Sequence, residues 1–214
     1  MQNNTIKTNG SQQLTADFQV LKDKVVRLLT EQGKSALTYH TVEHTLDVLS
    51  NAERIALEEG VFSEKELLLL KVAALYHDTG FLFVYKGHEE KSCEILTKDL
   101  HQSEFTPKDI ATMCSLIMAT KIPQSPKTHL EQVICDADLD YLGRNDFEFI
   151  SNNLRKEFFD VGVVKTEEQW MQLQISFIGA HQYFTKTSQK SRNKKKLKHL
   201  RQLKIQAGLN AANT

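Results

Sequence analysis

Along most of the chain apolar residues recur every three or four positions, as in "FQVLKDKVVRLLTEQ" and "LDVLSNAERIAL". That is the period of a helix that buries one face. Proline and glycine, at 3 and 9, are too scarce to interrupt such segments often. Three helix starts carry their own caps: Ser63 with Glu66, Thr106 with Pro107 and Asp109, and Thr166 with Gln169. Each places a hydroxyl at the N-cap and an acid or amide three residues on. The pattern predicts an all-α protein, a single-domain helical bundle, with helices near 14–32, 41–60, 64–78, 88–102, 107–120, 129–142, 146–160, 167–186 and 190–207. Residues 1–13 are expected to be a flexible N-terminus, 14–189 the helical domain, and 190–214 a basic C-terminal helix packed upon it.

Composition supports this and narrows the partners. At 214 residues and 40% hydrophobic, the chain has material for one well-packed domain. Lys+Arg and Asp+Glu both number 27, so no global field argues for nucleic acid or an acidic membrane surface. The exception is local, at "KTSQKSRNKKKLKHLRQLK". There Leu197, Leu200, Leu203 and Ile205 could dock a helix whose cations stay in water, or the cations could meet a phosphate backbone. Three cysteines without CxxC spacing argue against a disulfide framework or zinc knuckle and fit a reducing cytoplasm. The polar "MQNNTIKTNGSQQLT" has no signal-peptide core, and no window approaches the roughly 20 apolar residues of a membrane span. A soluble, cytoplasmic protein without a membrane partner is the expectation.

The candidate chemistry lies where apolar stripes end. "LTYHTVEHTLDVL" places His40 and His44 four residues apart, on one face if the helix begins near residue 40. Such a pair reaches one ion, or is a pair of surface or core histidines. In "LLLLKVAALYHDTGFLF" a greasy helix finishes on His77 and Asp78. A buried, unpaired aspartate is costly, so Asp78 needs a cation or a cluster of donors, unless the two residues simply cap or salt-bridge the helix end. In "LEQVICDADLDYLG" another apolar stripe runs into Asp136, Asp138 and Asp140. Successive helical residues point about 100° apart, so one of Asp136 and Asp138, not both, is expected to face a shared site. Two histidines with carboxylates from separate helices form a mixed nitrogen and oxygen set suited to a divalent ion.

Taken in order, "YHTVEHT", "LYHDTG" and "ICDADLDYLG" resemble the H…HD…D signature of the HD superfamily of metal-dependent phosphohydrolases, which are all-helical. The resemblance implies His44, His77, Asp78 and Asp138 as metal ligands. Asp138 is preferred to Asp136 because it precedes leucine, as in the similar "ADL" of the cyclic-nucleotide phosphodiesterases. Their "YHNxxH" segment has its first histidine near the leaving-group oxygen, which implies His40 as general acid, with Thr41 in place of the asparagine. Asp78 would also help orient the attacking water. His88 of "KGHEEKS" stands where some members bring a histidine towards a second metal or the phosphate. Thr120 and Lys121 occupy positions where two-metal members supply further histidines, so one tightly held ion is expected. Lys121 and Arg155 are candidates for holding phosphate oxygens, arginine through its planar fork.

The implied cofactor is a divalent ion, one of Mn, Co, Fe, Ni, Zn or Mg. The implied activity is cleavage of a phosphomonoester or phosphodiester by metal-activated water, with a small phosphoester, a nucleotide by resemblance, as substrate. Tyr39, Phe81, Phe83, Tyr85 and Tyr141 flank the ligands and could stack on a base or fill the core. A homo-oligomer is compatible with this reading, and nucleic acid is not the expected partner. The alternatives are a metal- and ligand-binding module without turnover, and a helical protein binding RNA or a partner through the basic segment.

Overall fold

The computed structural model describes residues 7–208. Among the described residues there are nine α-helices and no strand: α1 Lys7–Gln32, α2 Val42–Glu58, α3 Glu64–Tyr76, α4 His88–Leu100, α5 Pro107–Ala119, α6 His129–Asp138, α7 Phe147–Asp160, α8 Glu167–Ala180 and α9 Lys186–Gln206. Short 3-10 turns follow α3, at Thr79–Leu82, and α6, at Asp140–Gly143. The fold is all-α, as the periodicity predicts. All three expected caps form: Ser63, Thr106 and Thr166 accept from the amides of Glu66, Asp109 and Gln169. Thr128 and Glu131 add a full capping box at the start of α6.

Several boundaries differ from the expectation. Helix α1 starts at Lys7 rather than residue 14, so residues 7–13 of the expected flexible N-terminus are helical. Residues 1–6 lie outside the described span. Helix α3 stops at Tyr76 and α6 at Asp138, each giving way to a 3-10 turn. The helix expected to run to residue 186 stops at Ala180, and α9 starts at Lys186 instead of 190. Between them the chain is held open by Asp136, whose carboxylate accepts from the Phe184 amide at 2.9 Å, the Thr185 amide at 2.8 Å and the Thr185 hydroxyl at 2.7 Å. Thr185 then caps α9 through the Ser188 amide.

Two hydrophobic clusters make the core. The larger is built from α1 to α6 and includes Ile55, Leu70, Tyr76, Leu116, Ile117 and Ile134. The smaller gathers Tyr39, Tyr141, Leu142, Phe147, Ile178, Tyr183 and Leu203. Helix α9 belongs to this second body. Arg192 donates to buried Asp140 at 2.9 Å, and Arg54 of α2 donates to the same carboxylate at 3.0 Å. His199 meets the Arg144 carbonyl at 2.9 Å. Lys196 is buried against His181, with its ammonium 5.2 Å from the Tyr183 ring. The expected apolar stripe is narrower than four residues: Leu200 and Leu203 pack inward, whereas Leu197 and Ile205 are exposed. Lys196, Leu200 and Leu203 share the inward face at helical spacing, and its remaining polar position is satisfied by hydrogen bonds. No described helix is long and apolar enough to cross a membrane.

Gly80 marks the closest approach between chain segments near the end of α3. A Cβ there would overlap the His88 carbonyl, and the Gly80 amide donates to Ser92 at 2.8 Å. Gly80→Ala is therefore expected to push α4 away and destabilise the protein by about 1–3 kcal/mol, the usual cost of overpacking. A lowered midpoint in thermal or urea unfolding checks this; an unchanged midpoint contradicts it.

Candidate metal centre

The centre forms where three helices end or begin. Helix α2 starts at Val42, so His44 sits in its first turn and His40 precedes the helix. The two imidazoles therefore do not share a helical face. Their rings lie 6.0 Å apart at 89°, and they serve different partners. At the other side, α3 ends at Tyr76, His77 is its C-cap, and Asp78 leaves the helix with φ −108 and ψ 4. This break allows two adjacent residues to converge on one point, which a continuous helix forbids. Asp138 is the last residue of α6.

Ligand atoms of His44, His77, Asp78 and Asp138 all lie within 4.8 Å of one another. His44 Nε2 is 3.2 Å from Asp78 Oδ2 and 3.3 Å from Asp138 Oδ1. His77 Nε2 is 3.0 Å from Asp78 Oδ2 and 3.6 Å from Asp138 Oδ1. Despite this proximity, neither buried Nε2 has a partner of hydrogen-bond geometry. His77 Nδ1 meets the Ala74 carbonyl at 2.8 Å, so it carries the proton and turns the Nε2 lone pair into the cluster. Two neutral nitrogens and two anionic oxygens, nearly enclosed, suit one divalent ion. Asp136 and Asp140 take no part: they hold the segment before α9 and the arginines of α2 and α9.

Electrostatics agree with the geometry. Burial pulls the His44 pKa down, but the carboxylates of Asp138 and Asp78 outweigh it and push it from 6.5 to about 9. His77 is raised in the same way, against its own burial. Burial would raise Asp78 and Asp138, yet the two histidines hold both below the usual carboxylate range. Without an ion, then, protons bind the imidazoles and compensate the carboxylates.

Beside the cluster lies a second group. His40 Nδ1 is hydrogen-bonded to Glu157 of α7, whose other oxygen accepts from the amides of Tyr39 at 2.8 Å and His40 at 3.1 Å. The Tyr85 hydroxyl donates to Glu157 at 3.1 Å. Glu157 is fully buried; burial works to raise its pKa, but the His40 interaction and the two amides hold it low. Phe81 is stacked between the rings of His40 and His88, at 3.8 and 3.7 Å. His88 Nδ1 meets the Tyr85 carbonyl at 3.2 Å, which leaves Nε2 facing Asp78 at 3.6 Å.

A cavity of about 850 Å³ opens onto this arrangement and is lined by His40, Asp78, His88, Lys121 and Asp138 among others. Lys121 is exposed and pairs with Glu90. Tyr39, Phe81, Tyr85 and Tyr141 also line the cavity, whereas Phe83 is half exposed and does not. Arg155, the other residue expected to hold phosphate oxygens, lies away from this cavity. It is absent from the cavity wall, and its Nε and Nη2 are both engaged by Glu167, the Nε at 2.8 Å. The residue that sequence reasoning overlooks is Glu157. Its signal is an acid on the inward stripe of α7, between the cavity-lining Leu154 and Phe158.

Because protons and a metal compete for the same imidazoles, the pH dependence has a definite sign. In the metal-free protein the raised His44 pKa contributes stability that is present below about 6.5 and lost as pH rises through about 9. A bound ion faces less proton competition over the same range. The metal-induced rise in melting temperature should therefore grow between pH 6.5 and 9. Thermal melts of chelated and Mn²⁺-loaded protein check this, and a shift that shrinks with pH would contradict the assignment.

Residues 41–140 match the family model of the HD domain. No curated protein and no solved structure matches the chain. The matched segment contains all four clustered residues, in the order His44, His77, Asp78, Asp138, and excludes Glu157 and the walls from α7 and α8. With that signature at the helix ends of an all-α chain, residues 41–140 are similar to the HD domain over a little under half of the chain.

Proposed function

We propose that the protein is a metal-dependent phosphohydrolase acting on a small phosphoester. The observation that carries this reading is the convergence of His44, His77, Asp78 and Asp138, with two buried imidazole Nε2 atoms turned towards the two carboxylates, beside an independently oriented histidine. A divalent ion held there supplies a Lewis acid for a phosphoryl oxygen and lowers the pKa of water towards ~7. Asp78 and Asp138 balance its charge, and Asp78 borders the cavity where it can orient the attacking water. Glu157 fixes His40 with Nδ1 as donor, so Nε2 faces away from Glu157 and can protonate the departing oxygen. His88 and Lys121 stand at the cavity wall, within range of non-transferred oxygens. Nucleotides are candidate substrates on family resemblance, and three free thiols favour a reducing cytoplasm.

The test is turnover by stripped protein reloaded with Mn²⁺, Co²⁺, Mg²⁺ or Zn²⁺ on aryl phosphomonoesters and diesters, nucleotides and cyclic nucleotides. Metal-dependent release of alcohol or phosphate is expected, and Asp78→Ala should lose stoichiometric metal and turnover together. Full metal content in that variant, or a loaded wild type inert towards every ester, would refute the reading and leave a metal- and ligand-binding module.

His40→Ala separates acid catalysis from metal binding. It should keep its ion by elemental analysis and lose roughly 10²–10⁴-fold in turnover on an alkyl ester. The loss should be smaller on an activated aryl ester, whose leaving group needs no proton. Equal losses on both esters would argue against a proton-donor role.

A further inference from the structure

We infer that the group esterified to the phosphate is an apolar chain or ring, received by a wall built from α7 and α8; this rests on the phosphohydrolase reading. The cavity of about 850 Å³ that contains Asp78 and Asp138 extends along Leu154, Phe158, Trp170, Leu173 and Phe177. A pocket of roughly 300–1,000 Å³ accommodates a drug-sized ligand. On these two helices the polar lining groups are the Trp170 indole N–H and the Gln174 amide, and the latter already donates to Ser151. The charged lining residues Lys86, His88, Glu89, Glu90 and Lys121 all lie outside α7 and α8, and Lys121 is neutralised by Glu90. A polyphosphate would find no cationic cradle along this wall. The several polar edge atoms of a nucleobase would find few partners, and burying them unpaired is costly. Methylene or aryl surface meets no such penalty and gains from leaving water.

His40 fixes the direction of the chain. It lines the cavity at the ligand cluster and is bonded to Glu157, the neighbour of Phe158 on α7. The oxygen that His40 protonates therefore lies where the charged centre meets the apolar wall. In the reaction, the bond between phosphorus and the alcohol oxygen breaks with its electron pair going to that oxygen. The oxygen takes the His40 proton, the water oxygen bonds to phosphorus, and the proton shed by water restores His40. The products are an apolar alcohol and phosphate.

The experiment measures kcat/KM of the full-length, Mn²⁺-loaded protein on ethyl, butyl, hexyl and octyl phosphate and on adenosine 5′-monophosphate. Efficiency should rise by about two- to fourfold per methylene, the upper figure being complete burial. Leu173→Glu, a change at a 40% exposed wall position, should flatten the series while its melting temperature reports that it is folded. A flat wild-type series, or adenosine monophosphate surpassing octyl phosphate, overturns the inference and leaves the phosphohydrolase reading standing. Calorimetric binding of octylphosphonate and ethylphosphonate, which cannot be hydrolysed, keeps the two apart. If no ester is turned over, the phosphohydrolase reading fails, and the apolar wall stands only if octylphosphonate binds at least about tenfold tighter.

Discussion

Two carboxylates face two imidazoles in a space that water scarcely reaches, and the surrounding architecture is arranged to keep them there. Asp78 and Asp138 are like charges drawn together by their shared neighbours His44 and His77. Removed from water, such charges are tolerated only when compensated by protons or by a cation. Helices α2, α3 and α6 supply the apolar packing that holds the four side chains against this repulsion. The stripe of α3 carries leucine, valine and alanine to Tyr76 and admits charge only at its end, where the helix breaks. Apolar burial thus supports the electrostatic centre, because residues that would pack just as well elsewhere are used to fix its distances.

A second carboxylate network links this centre to the smaller cluster. Glu157 arrives from α7, outside the matched domain, and ties the Tyr39–His40 bend to the helices that wall the cavity. Each oxygen of Glu157 has more than one donor, so the buried charge is satisfied by groups that also set its position. Phe81 then spaces His40 and His88 by stacking on both. The site is therefore composite: the His/Asp cluster comes from the segment that matches the HD domain, and the orientation of His40 from the helices that follow it.

Helical periodicity and cap chemistry made the all-α fold legible, because both are local. The clustering of His44, His77, Asp78 and Asp138 was legible for a related reason: histidines and aspartates at the ends of apolar stripes have few inexpensive explanations. The alternation of Asp136 and Asp138 also read correctly, since residues two apart on a helix point in different directions. The end of α8 and the start of α9 are not legible, because a contact distant in the chain decides them: the grip of Asp136 on Phe184 and Thr185. Arg155 looked suited to phosphate by its chemistry, but an exposed guanidinium pairs with a nearby carboxylate, here Glu167. Glu157 was hidden because its partners, Tyr39, His40 and Tyr85, are remote in sequence and its own neighbours look like an ordinary amphipathic helix.

The run from Asp136 to Gly143 illustrates how densely one short segment can be committed. Asp136 secures the entry to α9, Asp138 belongs to the ligand cluster, Asp140 gathers Arg54 and Arg192, and a side chain on Gly143 would strike Arg192. These tasks face different directions, so each depends on its phase along the same turn of backbone. Inserting or deleting one residue here would rotate all later members together, losing the arginine hub and the fit of α9 whichever side the ligand fell on. Positions 136–143 can therefore change by substitution but not in length.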